Sequence, residues 1–239
     1  MILVDVGNSA IKWCRPDASA SGQLGAINRC QRNPSALAAA LVRDGGETDA
    51  VCIASVADEH FNAELGEALR AAQFESVAFL SAAHRFGDLV NSYPEPEKMG
   101  VDRWMAMVAT RSFCSQPAVV IDAGSAITID IIAESGLHEG GYILPGVAMM
   151  ERSLLRDTQR VRFDARAPAS VFPGTKTSDC VAAGIWAAAF GAVKLVLAGH
   201  AQHSVVVTGG DGQSLLDLGI DGKWRPNLVL EGIALASRA

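Results

Sequence analysis

LVDVGNSAIK, residues 3–12, contains an apolar β-like run, an Asp-x-Gly turn with small polar residues, and a second β-like run. VIDAGSAITI, residues 120–129, repeats this arrangement in mid-chain. Asp5 and Asp122 stand about half of the 239 residues apart. The repeat therefore predicts a duplicated domain, with a binding site in the cleft between the two copies.

The residues of these turns indicate which ligand such a site would hold. Glycine lets the backbone approach a ligand closely, Asn8 and Ser9 offer hydrogen bonds, and an aspartate can hold a cation. One such turn alone is typical of an ordinary hairpin. The second copy, and the TGGDG loop at residues 208–212, favour a nucleoside triphosphate with its metal.

Other nucleotide-binding classes are excluded by their missing motifs. The chain has no G-x-x-x-x-G-K-[ST], no G-x-G-x-x-G after a strand, and no H-R-D or D-F-G set. These absences argue against a P-loop protein, a Rossmann-like dinucleotide-binding domain and a protein kinase.

Composition favours two α/β domains with substantial cores. Hydrophobic residues make up 49% of the chain and charged residues 19%, and strands precede helices in both halves. We expect domains at residues 1–115 and 116–239. The net charge of −6 and the lack of a Lys/Arg run predict no nucleic-acid partner.

Cysteine usage and hydropathy predict a cytoplasmic location. The five scattered cysteines include no C-x-x-C pair, which argues against a disulfide framework or a zinc site. The chain starts directly with a strand, so we expect no secretory leader. The apolar stretch from Val181 to Val193 is short for a bilayer, and with Lys194 at its end it predicts a buried helix and no membrane partner. The five histidines are scattered and are interpreted as solvated or core residues.

Periodicity and capping signals predict the following elements. They are strands at 2–7, 10–15, 51–56, 77–80, 138–144 and 205–207, a repeated hairpin from 118, helices at 34–43, 58–72, 102–113, 147–158, 178–198 and 226–236, and a functional loop at 84–100. Asn33 is the expected N-cap of the first helix, with Pro34 as its first residue.

The segment GVDR, residues 100–103, permits two interpretations from the residues alone. Asp102 at a helix start is commonly an N-cap. Alternatively, Asp102 accepts a proton from a substrate hydroxyl while Arg103 binds a carboxylate through two hydrogen bonds.

Six motifs follow one another in the order of a known family. They are DVGNS at 5–9 with Lys12, GVDR at 100–103, DAGSA at 122–126, GGYILPG at 140–146, Thr177 seven residues before Gly184, and TGGD at 208–211. The chain resembles the type III pantothenate kinases of the acetate and sugar kinase/Hsp70/actin superfamily. The resemblance implies two ribonuclease H-like domains of the actin-like ATPase fold. It also implies ATP-dependent phosphorylation of pantothenate to 4'-phosphopantothenate, the first step of coenzyme A biosynthesis.

The resemblance also implies a role for each matching residue. The ATP-binding residues would be Asp5, Val6, Gly7, Asn8, Ser9, Ala10, Ile11, Lys12, Ser125, Gly209 and Gly210. The pantothenate-binding residues would be Tyr93, Gly100, Val101, Asp102, Arg103 and Thr177. Asp102 would be the proton acceptor, Asp5 would lie near Mg²⁺, and Asp122 would bind a monovalent cation, K⁺ or NH₄⁺. Thr177 would act on the partner subunit's site, which implies a homodimer.

The chain departs from the family pattern at two positions. Ser9 and Ser125 stand where the family usually has threonine. Serine keeps the hydroxyl group of threonine and lacks its methyl group. Two alternatives remain open from the sequence: a non-catalytic accessory factor for transcription on the same fold, and a sugar or acid kinase of the superfamily.

Overall fold

The structure, a computed structural model, describes residues 1–16, 24–44, 49–74, 76–157 and 169–238. Its contacts divide the chain into two units. The first contains Met1–Phe113 and the segment that starts at Asn227, and the second is Cys114–Pro226. The boundary predicted between residues 115 and 116 lies two residues from this division, and the last helix groups with the first unit.

The first unit is built on a five-stranded sheet with the order β3-β2-β1-β4-β5. Its strands are β1 (Ile2–Val6), β2 (Ile11–Cys14), β3 (Asn28–Cys30), β4 (Val51–Ser55) and β5 (Val77–Leu80). β1 pairs with β2, and β2 with β3, in antiparallel fashion, whereas β1–β4 and β4–β5 are parallel. A separate two-stranded hairpin consists of β6 (Arg85–Phe86) and β7 (Leu89–Val90).

The described residues of the first unit form four α-helices, two of which begin directly after a capping side chain. They are α1 (Pro34–Arg43), α2 (Glu59–Ala71), α3 (Val101–Phe113) and, at the end of the chain, α7 (Leu228–Ala236). The Asn33 side chain accepts a hydrogen bond from the backbone N–H of Ala36, with Pro34 as the first helical residue, which confirms the predicted cap. Asp58 caps α2 in the same way. Leucines of α1 and α2 are buried with the apolar side chains of β1 and β4.

The second unit repeats the sheet order of the first as β10-β9-β8-β11-β12. Its strands are β8 (Ala118–Ala123), β9 (Ala126–Ile132), β10 (His138–Pro145), β11 (Ser204–Thr208) and β12 (Lys223–Trp224), and its helices are α4 (Val147–Asp157), α5 (Thr177–Ala198) and α6 (Gly212–Asp217). In both units the first strand is central, with an antiparallel hairpin on one side and parallel strands on the other. The predicted duplication and the α/β fold of two ribonuclease H-like units are confirmed.

Helix α5 is apolar over a longer stretch than the sequence analysis assumed. It continues past Lys194 to Ala198, and among the described residues it is the one helix whose length and composition would suffice to cross a membrane. Only 33% of its most apolar stretch is buried. Trp186 and Val193 pack in the core of the second unit, whereas Leu195 is 77% exposed. The prediction of a buried helix therefore holds for one face of α5 only.

Candidate active site

The β1–β2 hairpin presents the first Asp-x-Gly turn. Gly7 closes the turn by donating its N–H to the carbonyl oxygen of Ala10, at 3.1 Å. Asn8 and Ser9 are exposed at its tip. Val6 and Ile11 pair across the hairpin and are completely buried, which fixes the turn to the sheet. The exposed tip is therefore held on a rigid base, as a phosphate-binding turn requires.

Asp5 lies at the end of β1, directly opposite Lys12 in the hairpin. Burial raises the pKa of Asp5 to about 6; Asp102 raises it further, while Lys12 and Arg29 act in the opposite direction. A carboxylate that burial and a neighbouring carboxylate destabilise is a suitable ligand for a divalent cation, since the cation supplies the missing positive charge. The predicted Mg²⁺ position near Asp5 fits this chemistry.

Asp102 is the second residue of α3, because the helix begins at Val101. Its Oδ1 atom accepts a hydrogen bond from the backbone N–H of Arg103, at 2.8 Å. A Cβ atom on Gly100 would lie 2.7 Å from the same oxygen, so glycine leaves the space that this carboxylate uses. Asp102 therefore lies inside the first turn, and the N-cap interpretation does not hold.

Arg103 and Tyr93, predicted to act together, are in direct contact. Arg103 is 6% exposed, and its Nη1 donates to the Tyr93 hydroxyl oxygen at 2.9 Å. The guanidinium group also lies 5.8 Å from the centre of the Tyr93 ring, within cation–π range. Burying a guanidinium without hydrogen-bond partners costs free energy. The Tyr93 hydroxyl therefore helps to stabilise the buried Arg103 side chain in the first unit.

Asn91 positions Tyr93, a role that the sequence analysis missed. Its side-chain oxygen accepts from the backbone N–H of Tyr93 at 3.0 Å, and its Nδ2 donates to the carbonyl oxygen of Ala83 at 3.3 Å. Asn91 is 4% exposed. Its place two residues before Tyr93, where Asx-turns form, was the available signal.

The loop of residues 84–100 is also attached to α3 at a second point. Arg111 donates from Nε at 2.9 Å and from Nη2 at 2.6 Å to Oδ2 of Asp88. The hydrogen bonds from Arg111 lower the pKa of Asp88 below its ordinary value. The predicted functional loop is thus a folded segment, with the β6–β7 hairpin and a short 3₁₀ turn at Pro96–Lys98.

The β8–β9 hairpin contains Asp122 and Ser125 and is in contact with Gly209, three of the predicted site residues. Gly124 closes the turn by donating to the carbonyl oxygen of Ala126, at 2.9 Å. Asp122 lies beside Thr208 of β11. Gly209 has φ +90°, and a Cβ atom on it would overlap the Ala123 carbonyl oxygen and Oδ1 of Asp122. Carboxylate and carbonyl oxygens are the ligands that hard cations prefer, so the predicted cation position at Asp122 fits its surroundings.

Gly146 is a second contact to this turn that received no role in the sequence analysis. Its N–H donates to the carbonyl oxygen of Ser125 at 3.1 Å, and a Cβ atom on it would overlap the carbonyl oxygens of Gly124 and Ser125. The GGYILPG motif ends at this glycine and was its sequence signal. Gly146 holds the end of β10 against the turn that carries Ser125.

Thr177 is the first residue of α5 and is exposed. It borders an apolar groove between α4 and α5, lined among others by Met149, Leu154 and Val181. Tyr93 and Asp102 belong to the first unit, and Thr177 belongs to the second. Of the predicted pantothenate-binding residues, the structure therefore groups Tyr93, Gly100, Val101, Asp102 and Arg103 within one unit.

Solved structures similar to the chain share its fold. A Baf family transcriptional activator from Campylobacter jejuni is 24% identical, with a TM-score of 0.62 over 100% of this chain and 98% of that chain. The activator of the 2-hydroxyisocaproyl-CoA dehydratase from Clostridium difficile, with bound ADPNP, is 11% identical, with a TM-score of 0.55 over 99% and 93%. At these identities the likeness concerns the actin-like ATPase fold and not the activity.

Sequence relatives define the family. A type III pantothenate kinase from Thiobacillus denitrificans is 38% identical to the chain, over 100% of this chain and 96% of that protein. The family model for type III pantothenate kinase matches residues 1–198. The chain therefore belongs to the type III pantothenate kinase family.

Proposed function

We propose that the chain transfers the γ-phosphoryl group of ATP to the primary hydroxyl of pantothenate, with Asp102 as the proton acceptor. Membership of the family makes the chain an ATP-dependent pantothenate kinase of coenzyme A biosynthesis. The residue roles are our proposal. The observation that carries them is the arrangement of Asp102, Arg103 and Tyr93 at the start of α3.

Asp102 is suited to receive the hydroxyl proton. Its carboxylate is held by the N–H of Arg103 in the space left by Gly100. In phosphoryl transfer such an aspartate chiefly orients the nucleophile, and positioning with charge neutralisation supplies most of the rate. The influence of Asp102 on the pKa of Asp5 supports a common location for the acceptor and the phosphate-binding hairpin.

Arg103 would bind the carboxylate or an amide oxygen of pantothenate. A guanidinium offers five N–H donors in a planar fork, and Nη1 of Arg103 donates to the Tyr93 hydroxyl. Beside the guanidinium, Val101 would offer an apolar side chain to pantothenate and Gly100 would offer its backbone. Because Asn91 fixes the backbone at Tyr93, the binding surface is arranged before the substrate arrives.

The phosphates of ATP would contact the two turns. Backbone N–H groups and polar side chains of residues 5–12 would bind them in the first unit, and Ser125 in the second. Mg²⁺ near Asp5 would supply positive charge to the phosphate oxygens. Asp122 would hold a monovalent cation, K⁺ or NH₄⁺, and Gly209 and Gly210 would lie beside the adenosine.

A homodimer is the proposed assembly, with the partner's Thr177 contacting pantothenate. The second unit exposes several large apolar side chains, among them Phe172 at 79%, Leu195 at 77% and Ile143 at 64%. Exposed apolar side chains that adjoin one another mark an interaction surface. A second copy would cover them without any other partner.

The proposed compartment is the cytoplasm, without a membrane or nucleic-acid partner. All five cysteines are free thiols, which suits a reducing environment. The net charge of −6 supports the expectation of no nucleic-acid partner.

Asp102→Asn tests the central role. We expect kcat with pantothenate to fall by about 10²-fold or more, because the amide cannot accept the hydroxyl proton. Steady-state kinetics with ATP, Mg²⁺ and K⁺ measure this fall. Asp58→Asn is the matched control, since asparagine keeps the cap of α2 and changes the same functional group.

Two outcomes would contradict the proposal. A kcat of Asp102→Asn within about tenfold of the parent, roughly 1.4 kcal/mol, would exclude Asp102 as the proton acceptor. A parent protein that turns over a sugar panel and leaves pantothenate unchanged would exclude the substrate.

A further inference from the structure

Glu139, His200 and His203 form a cluster outside the proposed active site. One ligand atom of each residue lies within 4.8 Å of the corresponding atoms of the other two. Glu139 is the second residue of β10, His200 follows α5, and His203 precedes β11. Glu139 is exposed, and both histidines are half-buried.

The sheet topology explains why residues so far apart in sequence meet. The start of β10 pairs with the end of β9 at Ile132, which pairs with the start of β8 at Ala118. Ala118 in turn pairs with Ser204 at the start of β11. These strand ends form one edge of the sheet, whereas Asp122 and its turn lie at the opposite edge. The cluster is therefore separate from the predicted cation position.

His200 is oriented for coordination. Its Nδ1 lies 2.7 Å from the carbonyl oxygen of Val196. A carbonyl oxygen only accepts, so Nδ1 carries the proton and Nε2 has a free lone pair. Metal-binding histidines typically make this bond through the nitrogen that does not bind the metal.

His203 has an unused buried nitrogen. Among the described residues, its Nδ1 is a buried side-chain atom without a hydrogen-bond partner. Leaving such an atom unsatisfied is unfavourable, and a metal ion would satisfy it. The backbone N–H of His203 donates to the carbonyl oxygen of His200 at 2.9 Å, and the two rings meet edge to face at 4.9 Å. This turn keeps both imidazoles on the same side.

We propose that Glu139, His200 and His203 bind a divalent transition-metal ion of the Zn²⁺ class. Two imidazole nitrogens and one carboxylate oxygen suit tetrahedral Zn²⁺, with water at the fourth position. Bonds of about 2.0 Å require ligand atoms about 3.3 Å apart in a tetrahedral site. The exposed Glu139 side chain rotates to close the remaining distance. The bound ion would fasten the connection between α5 and β11 to the first residues of β10.

Isothermal titration with ZnCl₂ tests the site on the full chain. The protein is first treated with EDTA and exchanged into buffer with excess Mg²⁺, which occupies oxygen-ligand positions. We expect one ion per chain with Kd below about 10 μM, and a higher Tm with the ion than without it. His203→Ala and, separately, Glu139→Gln should each weaken binding by about tenfold or more.

His60→Ala is the matched control, because His60 lies 3.3 Å from Glu64 on α2 and forms a two-ligand surface pair. This variant should bind Zn²⁺ as the parent does. With Co²⁺ in place of Zn²⁺, the absorption spectrum should show tetrahedral ligand-field bands without a sulfur-to-metal charge-transfer band.

Four results would overturn the proposal. They are a parent Kd above about 10 μM, unchanged binding in both site variants, loss of binding in His60→Ala, or a sulfur band in the Co²⁺ spectrum. Glu139 is exposed, so Glu139→Gln provides a folded variant even where His203→Ala loses structure. Circular dichroism checks the fold of each protein before titration.

Discussion

Ionisation of Asp5 lowers the stability of the folded protein. The pKa of Asp5 is raised from an ordinary 3.8 to about 6, chiefly by burial. The protonated carboxyl is favoured by folding, so its contribution to stability is fully present below pH 4 and is lost as the pH rises through 6. The difference corresponds to about 3 kcal/mol at neutral pH. A residue that weakens the free protein in this way is typical of a binding site.

Asp5→Asn should therefore stabilise the protein while removing activity. Without nucleotide or metal, we expect a higher Tm than the parent at pH 7.5 and a smaller gain at pH 5.0, because asparagine carries no charge to desolvate. Differential scanning calorimetry at both pH values measures the effect, with Asp58→Asn as the control. An unchanged Tm at pH 7.5 would show that the ionised Asp5 carboxylate does not destabilise the folded protein.

Tyr93→Phe removes the hydroxyl that accepts a hydrogen bond from Arg103. The loss of one partner from a buried charged donor costs about 1–3 kcal/mol. We expect the KM for pantothenate to rise about tenfold or more, with kcat within about threefold, because the contact concerns binding. Tyr142→Phe, at the other tyrosine of the chain, is the control. A fall in kcat with an unchanged KM would contradict the binding role.

Among the elements, the connection after β11 depends on one glycine. Gly209 has φ +90° and no room for a side chain against the β8–β9 turn. Gly209→Ala should lower Tm by about 5 °C or more, from strain of about 2 kcal/mol together with the displaced turn. Gly210→Ala is the matched control, since no atom of the described residues lies within 4 Å of its added Cβ. Equal melting temperatures of Gly209→Ala and Gly210→Ala would contradict the predicted strain at residue 209.

Sequence reasoning succeeded where the physics is local. The cap at Asn33, the two hairpins and the bounds of α5 within one residue follow from side-chain and turn chemistry in adjacent residues. The short elements β3, β6, β7, α6 and β12 were missed, because two to six residues carry too little periodicity.

Contacts between distant segments could not be predicted in the same way. His138 was interpreted as a core or solvated residue, and it is completely buried with Nε2 at 3.0 Å from Oδ1 of Asp130. Glu139 lies near His203 only because four strands pair in the sheet. The spacing of these residues in the sequence does not predict this proximity. Likewise, the fit of Gly146 against Ser125 arises only when β10 returns to the β8–β9 turn.

At the scale of the whole molecule, the exposed side of α5 predicts association. Leu195→Asp should convert the proposed homodimer to a monomer at micromolar concentration, because the substitution would place a carboxylate in the proposed apolar interface. Light scattering after size exclusion measures the mass against the 25.0 kDa chain. Phe79→Asp, at an exposed phenylalanine of the first unit, is the control and should stay dimeric. A monomeric parent, or a dimeric Leu195→Asp, would contradict the proposed assembly.

Helix α7 has a consequence for how the protein is made. Leu228, Leu230 and Ile233 of α7 are buried, and Gly232 lies so close to the backbone of Met105 that a Cβ atom would overlap it. Because the whole second unit, Cys114–Pro226, lies between α3 and α7 in the chain, the first unit cannot complete its core until the second unit has been synthesised. Until then, the apolar face of α3 stays uncovered in the nascent chain, which makes it a target for chaperones.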